Sequence, residues 1–105
     1  MNSYISNTNN FLLYTNENEE VKVDVLLKDE TIWLTINQMA ELFGIDKSGI
    51  SRHIKNVYET GELEEQATVA KIATVQQEGN RQVKRVLDFY NLDMIISVGY
   101  RVNSI

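Results

Sequence analysis

The chain has 105 residues, no cysteine, no proline, a single histidine and a formal net charge of −5. That length fits one domain with a modest core. The composition excludes a disulfide framework, a thiolate zinc site and a multi-histidine metal centre, so no cofactor is expected. Apolar runs are too short to span a membrane. The opening MNSYISNTNN lacks the basic and apolar regions of a secretory signal, which makes the cytoplasm the expected compartment.

Residues 1–10 are rich in Asn and Ser and are expected to form a flexible tail, leaving 11–105 as the domain. FLLYT at 11–15 is a short apolar run, followed by the polar turn NENEE. In VKVDVLL, Val21, Val23 and Val25 alternate with the period of a half-buried strand. KDE turns the chain, and TIWL at 31–34 is a partner strand. The expectation is a small antiparallel sheet of two or three strands.

At residue 35 the period changes. Ile36, Met39, Ala40 and Phe43 follow helical spacing. Thr35 with Gln38 three residues on forms a capping-box pattern, and Gly44 is placed to end the helix in the left-handed conformation. Asp46 caps a second helix over 47–59, with Ile50, Ile54 and Val57 on its buried face and Gly61 as its stop. ELEEQ is an acidic connector. TVAKIATVQQ at 68–77 and QVKRVLDFY at 82–90 flank a Gly-Asn turn and predict a β-hairpin. Asn91 caps a last helix with Leu92, Ile95, Ile96 and Gly99 on one face.

Helix, glycine turn and helix make a helix-turn-helix unit. Ala40, Gly44 and Ile50 stand at the offsets of DNA-binding examples: a small residue for close approach, the turn, and the first buried position of the second helix. Such units insert the N-terminal half of their second helix into the major groove. The exposed residues there are expected to be Lys47, Ser48, Gly49, Ser51, Arg52 and Lys55. Arg52 suits a bidentate guanine contact and the serine hydroxyls suit base or phosphate. Lys55 lies one turn further on, at phosphate level. Thr35 and Gln38 mark a helix N-terminus where a phosphate can sit.

The hairpin after this unit gives a winged-helix arrangement. Its tip and outgoing strand carry Arg81, Lys84 and Arg85 as further phosphate contacts. Lys84 and Arg85 are neighbours on a strand, so at most one faces DNA. Trp33 is expected in the core of the sheet–helix junction, and Tyr58 and Phe43 also read as core. The fold class is therefore α+β and winged-helix-like, with an N-terminal antiparallel sheet, a hairpin wing and a C-terminal helix.

Net charge divides unevenly along the chain. Residues 1–34 carry −4, 35–58 carry +1, 59–65 carry −4 and 66–105 carry +2. The acid lies in two blocks, and the helix-turn-helix and hairpin are mildly basic. Double-stranded DNA is the first expected partner, with a homodimer to reach paired half-sites. The acidic blocks favour the alternative, a protein-interaction or dimerisation module with a protein partner. No enzyme is expected: there is no Gly-rich phosphate loop, and the carboxylates cluster in connectors unsuited to acid–base chemistry.

WLTINQMAELFGIDKSGISRHIKNVYETGEL, residues 33–63, and FYNLDMIISVGYRVNS, residues 89–104, together resemble the N-terminal domain of the RhuM family. These are bacterial proteins described as virulence or DNA-binding proteins, and related domains occur with Fic-type modules. The resemblance implies a DNA-binding module, with a role in transcription regulation. It also implies that the chain is the N-terminal domain of a longer protein.

Overall fold

A computed structural model describes residues 8–14 and 20–103. The strands are β1 (Thr8–Tyr14), β2 (Glu20–Lys28), β3 (Thr31–Leu34), β4 (Val69–Glu78) and β5 (Arg81–Asn91). The helices are α1 (Ile36–Phe43), α2 (Lys47–Glu59), α3 (Glu65–Thr68) and α4 (Leu92–Val102). All five strands form one antiparallel sheet in the order β1-β2-β3-β5-β4. The chain is α+β, as its periodicity indicates.

Two expectations about the strand layout change. β1 begins at Thr8, so the last three residues of the expected tail belong to a strand; residues 1–7 lie outside the described residues, as does most of the NENEE turn. The leading sheet and the hairpin are also not separate. Trp33 pairs with Asn91 and Leu34 with Tyr90, which fuses them. The ELEEQ connector contains a single helical turn, α3, held where the Thr68 hydroxyl donates to the Glu64 carbonyl at 2.8 Å.

Alternation along the strands sorts side chains into two apolar clusters. Val25, Leu34 and Tyr90 meet Met39 and Leu42 of α1, Ile50, Ile54 and Val57 of α2, and Met94, Ile95 and Val98 of α4. Leu26, Trp33, Ile72 and Phe89 form a second cluster of strand residues alone. Trp33 is buried here, apart from the helices and not at their junction with the sheet. Its indole N–H donates to the Lys28 carbonyl at 2.9 Å, and the Lys28 ammonium lies 5.3 Å from its ring centre.

The helix ends match their sequence signals. Thr35 and Gln38 form the reciprocal capping box, and Gly44 takes a left-handed φ of 68°. Asp46 caps α2 and Asn91 caps α4. In α4 the buried face is Met94, Ile95, Ser97 and Val98, so Leu92 and Ile96 lie outside it.

The β2–β3 turn places both Asp29 and Glu30 at positive φ, 54° and 62°. A two-residue turn of that shape prefers Asn-Gly or Asp-Gly. A glutamate held left-handed costs about 1 kcal/mol relative to a relaxed residue. Glu30→Gly is therefore expected to raise stability by about 0.5–1 kcal/mol, read as a higher urea midpoint at unchanged slope.

Candidate nucleic-acid interface

α2 buries Ile50, Ile54 and Val57 against the sheet and its neighbours. At 100° per residue the opposite side is centred on Arg52, with Ser48, Lys55 and Glu59 around it. All four are exposed, as are Lys47 and Ser51. Gly49 is the exception among the residues expected on this face. It is buried, and a Cβ there would lie 3.1 Å from the Asp46 carboxylate and 3.2 Å from Ile45. Its small size serves the turn, not an approach to a ligand.

Polar residues at both helix starts are largely committed within the protein. The Gln38 backbone N–H donates to the Thr35 hydroxyl at 3.1 Å, and the Thr35 N–H donates to the Gln38 side chain at 2.9 Å. Both side chains are half-buried and act first as caps. At α2 the Asp46 carboxylate accepts from the Gly49 N–H at 2.8 Å and from the Ser48 hydroxyl at 3.0 Å. The Gly49 amide foremost, then Ser48 and the charge of Arg52, hold Asp46 below the usual carboxylate range.

Two recesses separate the helices from the hairpin. One of about 370 Å³ is lined by Thr35, Ile36, Asn37, Lys71, Val86, Leu87 and Asp88. The other, about 250 Å³, includes Ser51 and Lys55 of α2 with Tyr58, Glu65 and Tyr90. The Thr68 hydroxyl hydrogen goes to Glu64, so Tyr58 donates to the Thr68 oxygen at 2.7 Å. Burial is the main cause pushing the Tyr90 hydroxyl up to about 12, and burial also raises Tyr58.

The hairpin distributes its cations. Gly79, at φ 62°, and Asn80 form the turn, and Glu78 pairs with Arg81 at the tip. Arg85 donates to both oxygens of Glu78 at 2.9 and 3.1 Å. That bond depresses Glu78 and raises Arg85. Strand alternation puts Arg81 and Arg85 on one side of β5 and Lys84 on the other, the side of Tyr90 and the helices. Arg81 lies nine residues from Tyr90, or roughly 30 Å along an extended strand. The expected residues thus form a group on α2 and a separate set along the hairpin. Lys71, which no sequence motif marks, borders the first recess and bonds Asp88 at 2.9 Å. The Gly-Asn turn fixes the register that sets these two opposite each other.

Residues 67–105 match the Virulence protein RhuM family. Of the two blocks that carry the resemblance in the sequence, the match covers the second, residues 89–104. The RhuM match leaves the helix-turn-helix block outside it. No curated protein and no solved structure matches the chain. Among the described residues, no helix is long and apolar enough to cross a membrane.

The Asp46 cap predicts a pH effect. Its folded value lies below its unfolded one, so its contribution is full above about pH 4 and is lost as pH falls through the folded value. Asparagine caps as well without the charge. Asp46→Asn is expected to flatten the fall in melting temperature below about pH 4. Glu62 and Glu78, also depressed, contribute to the slope that remains. Curves for the two proteins that run parallel would remove this role.

Proposed function

We propose that this chain is a sequence-specific DNA-binding module of winged-helix type, acting in transcription regulation through α2 in the major groove. The carrying observation is the outer face of α2. Arg52 stands at its centre, Ser48 and Lys55 beside it, with the buried face fully used in packing. The order β3-α1-α2-α3-β4-β5, with β3 paired to β5, supports the winged reading, because it brings the base of the hairpin beside α2. The RhuM match supports it further, over the segment it covers.

The basic surplus is small, and Arg85 starts out neutralised by Glu78. Affinity for non-specific duplex is therefore weak and steeply dependent on salt. Selection from random duplex DNA should enrich a defined site. On that site Arg52→Ala is expected to cost ~1–3 kcal/mol and to relax specificity at one base pair. Lys55→Ala should weaken all sequences alike and lower the salt slope by about one. If Arg52→Ala, Lys55→Ala and Arg81→Ala all leave affinity unchanged, α2 is not the recognition element. The net charge of −5 favours a second reading, a protein-binding module on the same scaffold. Failure to enrich any DNA at low salt, together with a protein partner, would select it.

A further inference from the structure

The smaller recess, about 250 Å³, opens between α2, α3 and β5. Ile36 and Ile54 form its apolar wall, and Ser51, Lys55, Glu65 and Tyr90 bring polar groups to it. Tyr90 is left unsatisfied by the fold. Tyr58, the neighbouring phenol, is engaged with Thr68 at 2.7 Å. Tyr90 is only 8% exposed, yet its hydroxyl has no hydrogen-bond partner. Buried hydroxyls are normally bonded, so such a group points to something that completes it. Among the described residues no enclosed side-chain polar atom lacks a partner. The hydroxyl is therefore the part of Tyr90 that still meets open space, and the recess is that space. The charges here are unmatched as well. Lys55 and Glu65 line the same recess but form no ion pair with each other or with any described residue. Opposite charges thus face one small space without meeting across it.

We propose that this recess binds a small zwitterion, an α-amino acid with an apolar side chain. Its ammonium donates to the Glu65 carboxylate and to the Tyr90 oxygen. Its carboxylate accepts from the Lys55 ammonium and the Ser51 hydroxyl, which stand one turn apart on α2. Its side chain rests on Ile36 and Ile54. A simple anion or a simple cation would leave either Glu65 or Lys55 unmatched, whereas a zwitterion answers both. Size points the same way, since drug-sized ligands take clefts of roughly 300–1,000 Å³. The ammonium belongs at the Tyr90 end because that end is acidic. Burial foremost, then the charge of Asp88, then Tyr58 and Glu65, keep the Tyr90 hydroxyl protonated, and Glu65 also raises Tyr58.

The test is an NMR titration of the whole chain with L-valine, L-leucine and L-methionine. At least one is expected to shift the Ile36 and Ile54 methyl signals to saturation. The N-acetyl form of that amino acid lacks the ammonium and its amide lacks the carboxylate. Each should bind at least about tenfold more weakly, the usual loss for a hydrogen bond to a charged group. Tyr90→Phe keeps the ring in the core and should lower affinity about tenfold with melting unchanged. Glu65→Gln should erase the preference over the N-acetyl form, and Lys55→Gln the preference over the amide. A merely structural role for these side chains would not split the two preferences in this way. The proposal is overturned if none of the three amino acids binds, if inorganic phosphate or the derivatives bind as tightly, or if Tyr90→Phe keeps full affinity. No nucleic acid enters these titrations, so their outcome and that of the DNA reading are separate.

Discussion

Two backbone pairs hold this architecture together. Trp33 opposite Asn91 and Leu34 opposite Tyr90 connect a leading three-stranded sheet to the hairpin. At the same point Leu34 and Tyr90 turn into the helical core while Trp33 turns away from it. The residues that follow are caps: Thr35 opens α1 and Asn91 opens α4. Both helices therefore leave adjacent strands at one level and on one side of the sheet. α2 needs no strand of its own. It packs into the angle those two helices leave, with Ile50 and Val57 fully buried.

The position of α2 is then locked from both sides by polar bonds. On the α4 side, Glu62 accepts from the Ser97 hydroxyl at 2.6 Å and pairs with Arg101, which also donates to Asn56 within α2. Towards the hairpin, Tyr58 donates to Thr68, itself fixed on α3. Exposed pairs of this kind contribute little stability individually. Their effect is on orientation, because each engages a different flank of one helix and leaves the face around Arg52 unencumbered.

Local signals are legible in the sequence because they act locally. The capping box, the left-handed Gly44, the Asp46 and Asn91 caps and the two hairpin strands all depend on residues a few positions apart. Contacts between distant segments were not legible. Nothing within TIWL announces that it pairs with the end of β5. Trp33 consequently reads as part of the sheet–helix junction, whereas it belongs to the strand-only cluster. Leu92 and Ile96 satisfy helical spacing as well as Met94 and Val98 do, and only the packing of α4 on α2 and the sheet chooses between the two sets. Gly49 shows the same limit. It is expected among the exposed residues of the second helix, whereas the Asp46 carboxylate and Ile45 close over it. The pairing of Arg85 with Glu78 requires the hairpin register, which the Gly-Asn turn implies but which spacing alone does not display.

The distribution of charge along α2 constrains how such a helix can meet a polyanion. Lys47, Arg52 and Lys55 occupy its first nine residues, and Glu59 closes the same outer face at the far end. Glu62, Glu64 and Glu65 follow immediately after the helix. The acid thus gathers at the C-terminal end, where the helix dipole is itself negative. Asp46 sits at the opposite end, yet its charge is turned onto the Gly49 amide and the Ser48 hydroxyl. A polyanion approaching α2 is therefore attracted along its N-terminal half and repelled beyond Lys55. Under the proposed DNA reading, the acidic collar would restrict contact to the half of the helix that carries Ser48, Ser51 and Arg52.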